Sequence, residues 1–212
     1  MYAMNRAIHT ATVIVFLLSL VAQGADTPAT ADANKAADAK EGFAIRVRAG
    51  SDQPYKDSKG NKWLGDVMTK EGGFEGGSTI ERPDIKIENT KDPEIYRAEH
   101  YSMDSFWWKV PNGKYTVRLH FCETFEGIGG PGDRVFGFKV QDKEFKDFDV
   151  WKTTGGAQRP HIETVIATVT DGKLKVTFIP KIENPQLNGI EIIAGDESTA
   201  QKSSASAKST SP

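Results

Sequence analysis

VPNGKYTVRLHFCETFEGIGGPGDRVF, residues Val110 to Phe136, is the segment from which the architecture of this 212-residue chain is most readily worked out. Pro111-Asn112-Gly113 signals a turn, because proline presets φ and Asn-Gly accepts positive φ at little cost. Tyr115, Val117, Leu119 and Phe121 then alternate with Thr116, Arg118, His120 and Cys122, the period of a β-strand. Side chains of a strand point to its two faces in turn, so the first four residues predict a core ridge. Beyond the strand stand Glu123, Thr124, Phe125 and Glu126, and then a glycine-rich loop leads to a second apolar run from Val135. An aromatic ring and two carboxylates at the mouth of such a loop are groups suited to touching a ligand.

Working outward, strand patterns dominate. Phe43, Ile45 and Val47 alternate with Ala44, Arg46 and Arg48 before Ala49-Gly50 ends the run. Tyr55 to Asp66 reads as loop with a turn at Lys59-Gly60-Asn61, and Gly72 to Ser78, four glycines around Phe74, reads as irregular backbone. Ile85 and Ile87 mark a short strand, Glu94 to Tyr101 another, and Phe106 to Val110 leads into the central one. Val135 to Val140 turns through Asp142-Lys143 into Phe145 to Val150. His161 to Val169 places Ile162 and Ile166 on one face and Val165 and Val169 on the other. Asp171-Gly172 is a hairpin signal, Leu174, Val176 and Phe178 follow it, and Ile190 to Ala194 closes the unit. No segment carries a helical stripe of three turns. Many short strands with turns every ten residues or so predict an all-β sandwich.

The flanks differ in composition. Arg6 followed by the apolar run Ala11 to Val21 predicts an export signal over residues 1–24, cleaved after Gly24, with an uncleaved anchor as the alternative; the run is short of the ~20 residues that a membrane span needs. Residues 25–41 and 196–212 lack the apolar content to offset their ordering entropy, so a disordered linker and a disordered Ser/Ala/Lys tail are expected around a folded unit at 42–195. The formal charge of −2 gives no support to nucleic-acid binding. One cysteine excludes an intramolecular disulfide and a thiolate zinc cluster, and the four histidines show no metal-ligand spacing. No metal or cofactor is expected. Cys122 reads as a small buried hydrophobe, Trp63 and Trp151 as structural, and the adjacent Trp107 and Trp108 as facing opposite ways. Glu99, Glu123, Asp147 and Asp149 are acids in strand-like segments that could meet calcium or polar neighbours.

The chain resembles the malectin domain family over nearly all of Arg46 to Gly195. The resemblance rests on Ala49-Gly50, DPEIYRAEHY from Asp92, the Val110 segment itself, RVFGFKV from Arg134, FKDFDV from Phe145, Thr154-Gly155-Gly156 and ENPQLNGIEIIAG from Glu183, in that order and spacing. It implies a malectin-like, jelly-roll-like β-sandwich with carbohydrate held by loops at one end. In the family's founding member, four aromatics and one acid read glucose-containing oligosaccharides. Carried over by position, the tyrosine of the E-R-Y motif falls on Tyr101, preceded here by His100 instead of arginine. A Tyr-Phe pair falls on Phe125 and Glu126, so one position loses a hydroxyl and the other its ring. The acid falls on Glu183, and Phe74 is the nearest aromatic to the fourth ring. The founding member's ligand is therefore not transferred.

Flat aromatics can cover the C–H faces of sugars and a carboxylate can accept two hydroxyls, which suits Tyr101, Phe125 and Glu183. Each also has a plain alternative, as strand-end packing, a lid on the core and a solvated charge respectively. A glycosidase would need two carboxyl groups about 5–10 Å apart, a condition that sequence does not test. The chain holds no G-x-S-x-G, H-E-x-x-H or phosphate loop. The expectation is a non-catalytic carbohydrate-binding module of an exported protein (periplasmic, cell-surface or extracellular) whose partner is an oligosaccharide or polysaccharide. A cell-envelope protein–protein interaction domain is the alternative, and a carbohydrate-active hydrolase comes third.

Overall fold

The computed structural model of the chain describes residues 42–195. The expected signal, linker and tail lie outside the described residues. In chain order the first strands are β1 (Ala44–Arg48), β2 (Tyr55–Lys56), β3 (Lys62–Trp63), β4 (Gly72–Glu81), β5 (Ala98–Lys109) and β6 (Gly113–Phe121). They are followed by β7 (Val135–Val140), β8 (Lys143–Phe148), the one-turn helix α1 (Val150–Thr154), β9 (His161–Val169), β10 (Lys173–Ile182), β11 (Gln186–Leu187) and β12 (Gly189–Ala194). One antiparallel sheet runs β1-β12-β6-β9. The other is built on β5, which pairs β4 along one edge, β11 and β10 along the other, and continues to β7 and β8. The two form the expected sandwich.

The core lies between the sheets. Tyr115, Val117, Leu119 and Phe121 of β6 are fully buried against Phe136, Phe138, Val176 and Ile190. Phe121 sits in an aromatic cluster with ring centroids 4.7 Å from Phe148, 5.6 Å from Phe138 and 6.0 Å from Phe136. Such pairs contribute roughly 0.5–1.5 kcal/mol each beyond the area they bury. The opposite face of β6 is not solvated as plain alternation would have it. The β2–β3 hairpin and the segment around the 3-10 turn Pro93–Ile95 cover it, and Trp63, Ile87, Ile95, Tyr96 and Cys122 form a second apolar cluster there. Gly189 makes room for this layer, since a Cβ on β12 at that point would stand 3.0 Å from the Trp63 ring and 3.2 Å from Ile95.

Several expectations change. Gly72 to Ser78 is not irregular but most of β4, whose register shifts between Glu75 and Gly76. Its glycines are needed for close approach: a Cβ on Gly77 (φ +81) would collide with the Tyr101 carbonyl of β5. Ile85 and Ile87 lie in a loop, with Ile87 buried as a plug in the second cluster. Tyr96 and Arg97 precede β5, which runs unbroken from Ala98 to Lys109. Asp171-Gly172 makes a turn but not a hairpin, because β9 and β10 belong to different sheets. The same is true of Pro111-Asn112, and the two crossovers are tied together: Gly172 N donates to Asn112 Oδ1 at 2.8 Å and Val110 N to Gly172 O at 3.0 Å. On β9 the buried residues are Val165, Ala167 and Val169, while Ile162 is exposed.

Candidate functional site

The tied crossovers close one end of the sandwich. At the other end β5 begins, β6 ends, β7 begins and β10 ends, and the long connections gather there. Three of the expected site residues come together at this rim. Tyr101 lies early in β5, opposite Ser78 of β4 on one side and Gln186 of β11 on the other. Ser102, at φ +59, donates its N–H to Pro185 O at 2.9 Å, which docks the Glu183-Asn184-Pro185 loop beside Tyr101. Phe125 follows Glu123-Thr124 at the exit from β6 and is 42% exposed, unusual for a ring with a core within reach. No hydrogen bond engages the Tyr101 hydroxyl among the described residues.

Arg134 joins these parts, and the sequence reading gave it no role. Its guanidinium is 4% exposed, its Nη1 donates to Asn184 O at 2.8 Å, and its Cζ lies 6.0 Å from the Phe125 ring centroid. Arg134 Nε also stands 2.9 Å from Glu123 Oε2. That approach is a charge contact and not a hydrogen bond, because its direction leaves both atoms without a hydrogen-bond partner. Burial pushes the Glu123 carboxyl up, against the pull of Arg134 and of the Phe125 N–H, which donates to Glu123 Oε1 at 3.0 Å. A second pair lies alongside, with Arg82 Nη1 3.2 Å from Glu99 Oε1 and Thr124 Oγ1 donating to Glu99 Oε2 at 2.9 Å. Two arginines and two glutamates thus form a floor beneath the rim. The sequence signal that could have exposed this floor is the cation Arg134 leading directly into the apolar run of β7, with acids Glu99 and Glu123 at strand ends to match.

The other site residues differ. Glu126 is exposed on the turn closed by Ile128 N donating to Phe125 O at 3.1 Å, next to Phe125 but outside the floor. Glu183 is exposed, in a positive-φ conformation of +56, and its Oε2 accepts from Asn184 N at 2.9 Å. Its other oxygen accepts no hydrogen bond from the described residues. Phe74 is corrected: it is 6% exposed, stacked 4.4 Å from His100 and packed edge-on to Phe106 at 4.8 Å, so it is a core residue with no face to offer. His100 holds Asp66 Oδ2 through Nδ1 at 2.7 Å and Gly76 O through Nε2 at 2.9 Å. These two contacts tie His100 to Asp66 and to the β4 bulge next to Tyr101.

The conspicuous acids and single residues also resolve. Glu99 and Glu123 meet arginines, Asp147 meets Lys181, and Asp149 caps α1 by accepting Lys152 N at 2.9 Å while its other oxygen holds Gly132 N at 2.7 Å. Cys122 is fully buried, and burial raises its thiol above the usual range. Trp63 is buried with Nε1 bonded to Asp57 Oδ2 at 3.1 Å, Trp108 is in the core and Trp107 faces outward. Among the described residues no helix is long and apolar enough to cross a membrane.

Comparison with known proteins gives one family. A kinesin-like protein of Oryza sativa subsp. japonica is 26% identical over 134 residues, covering 58% of this chain and 12% of its own length. A probable LRR receptor-like serine/threonine-protein kinase of Arabidopsis thaliana is 32% identical over 124 residues, covering 50% and 12%. The chain thus spans 12% of the length of either relative. Among solved structures, the ANXUR2 extracellular domain from Arabidopsis thaliana superposes with a TM-score of 0.61 at 21% identity, over 73% of this chain and 49% of that one. A beta-glucuronidase of Bacteroides uniformis gives 0.64 at 19%, over 73% and 18%. At these identities the likeness establishes the fold. The profile of the Malectin domain matches residues 43–198, most of the sequence and the whole of the sandwich, and the chain belongs to the malectin domain family.

Proposed function

We propose that this domain is a non-catalytic carbohydrate-binding module of an exported protein, and that it takes an oligosaccharide at the rim formed by Tyr101, Phe125 and Glu183, with Glu126 at its margin. The observation that carries this reading is Phe125, an exposed ring held from below by the buried Arg134–Glu123 contact instead of folding into the adjacent core. A flat apolar face fixed beside a phenol and a carboxylate matches the C–H faces and hydroxyl edges of a sugar. Pre-organisation matters here, because a ring already in place costs little further entropy on binding. An unbiased glycan array with wild type and Tyr101→Ala tests it. The expected result is a restricted set of glycans bound by wild type and lost, by about tenfold or more in affinity, in the variant; equal signals for both would remove the rim from the account.

A second reading keeps the rim and changes the partner. Ile162 and Ile182 are exposed at the same end as Phe125, so further apolar side chains are available there to a larger partner. A chain of similar fold belongs to a crystal structure of the plant peptide RALF23 in complex with FER and LLG2. A folded wild-type domain that binds no glycan on the array favours this protein-binding role. Hydrolysis of a chromogenic glycoside by the pure protein would instead favour an enzyme.

A further inference from the structure

Trp107 lies on the outer face of the six-stranded sheet, toward the crossover end and six residues along β5 from Tyr101, roughly 20 Å at strand rise. Its neighbours Phe106 and Trp108 fill the core, so alternation sends this ring outward. It is held in place: Nε1 donates to Glu75 Oε1 at 2.9 Å, and Ser105 Oγ donates to Glu75 Oε2 at 2.6 Å. Those two bonds hold the Glu75 carboxyl below its usual range, helped by Lys175 and Lys173. Lys173 places its ammonium 4.6 Å from the Trp107 ring centroid. The strand registers set Lys175 opposite Trp107, Lys173 opposite Lys109, and Thr177 between Ser105 and Lys139. An open groove of about 280 Å³, lined by Lys173, Lys175, Thr177, Gln141, Asp142 and Asp171, adjoins the lysines.

We propose that this face is a second carbohydrate site, independent of the rim, and that it takes an acidic polysaccharide bearing uronate carboxylates. Lys109, Lys139, Lys173 and Lys175 are gathered on this face; Glu75 at their centre is already engaged, and Glu144, opposite Lys139 on β8, stands 3.7 Å from Lys146. An exposed cation–π contact is worth only about 0.5–1 kcal/mol, so Lys173 is a weak latch over the indole. A sugar ring can displace it and lay its C–H face on Trp107, while the freed ammonium pairs with a carboxylate. Lys175 of β10 and Lys139 of β7 stand diagonally on neighbouring strands ~4.8 Å apart, with Thr177 directly opposite Lys139, so a polysaccharide crossing the strands obliquely meets cations in succession. A Trp–Lys surface also suits single-stranded nucleic acid. Asp142 and Asp171 along the groove offer lone pairs to hydroxyls, which a uronate sugar carries and a deoxyribose–phosphate chain does not.

Affinity electrophoresis of the full chain in gels containing sodium alginate tests the proposal, with dextran and oligo(dT) gels run in parallel. Alginate is expected to retard the wild type and Tyr101→Ala equally. Trp107→Ala, and separately Lys173→Gln/Lys175→Gln, should each lose about tenfold in apparent affinity. Should Trp107→Ala fail to give a folded circular-dichroism spectrum, the lysine pair decides. No retardation by alginate, retardation unchanged in both variants, stronger retardation by oligo(dT), or loss in Tyr101→Ala would each overturn it. The last of these would return all glycan binding to the rim.

Discussion

Arg134 shows what a single residue contributes to this domain. It is a buried cation whose charge is met by Glu123, whose Nη1 donates to Asn184 O and whose Cζ lies 6.0 Å from the Phe125 ring centroid. Burying such a pair is expensive, and the return on it is geometric: three segments distant in sequence are locked at one rim. Removing one partner strands the other. Arg134→Met should therefore cost about 3–5 kcal/mol in urea unfolding, and a second change, Glu123→Gln, should restore much of it, since it takes away the uncompensated carboxylate. Equal loss in the single and double variants would show that the arginine matters through packing alone. Cys122 shows the opposite case, where full burial and an upward-shifted thiol make a reactive group inert.

At the level of elements, the strands of the four-stranded sheet are joined on their outer face by a charged ladder. Glu191 of β12 lies between Arg46 of β1 and Arg118 of β6, with Arg46 Nε 2.7 Å from Oε2 and His120 Nε2 3.1 Å from Oε1. Burial works to raise the Glu191 carboxyl, but His120 and Arg46 outweigh it and hold it at about 2, down from 4.5. Because the folded value lies below the unfolded one, the stabilisation is fully present above about pH 4.5 and is lost as pH falls toward 2. The difference corresponds to roughly 3 kcal/mol. Glu123, shifted upward, acts with the opposite sign over the acid range. Urea melts between about pH 7 and pH 2 should show the acid loss in wild type and a flatter profile in Glu191→Gln; parallel profiles would deny the ladder this role. Element identity was largely legible, since β6 to β10 follow their alternation. What alternation could not reveal was pairing. Asp171-Gly172 has hairpin chemistry, yet its strands part to different sheets, because the turn fixes local direction and core burial fixes the partner. Gly72 to Ser78 was opaque for a related reason: four glycines weaken a strand, and only the close packing of β5 makes them necessary.

For the whole molecule, the sandwich divides its duties between ends. The crossover end is tied by Asn112 and Gly172, and the other end carries exposed aromatic and acidic groups over a buried ionic floor. Tyr101, Phe125 and Glu183 could be placed from motif order, whereas Arg134 could not, because its role arises only when the ends of β6 and β10 meet the start of β7. Phe74 misled as the nearest ring in sequence, since in a sheet the residue beside a bulge faces the core as readily as the rim. The central claim is that a sugar occupies this rim, and amide chemical-shift mapping with a neutral oligosaccharide identified on the array tests it most directly. The account predicts the largest shifts at residues 101–102, 124–128 and 183–186, with little change at 105–109 and 173–177. Shifts centred on the outer sheet face, or scattered without a maximum at the rim, would contradict it.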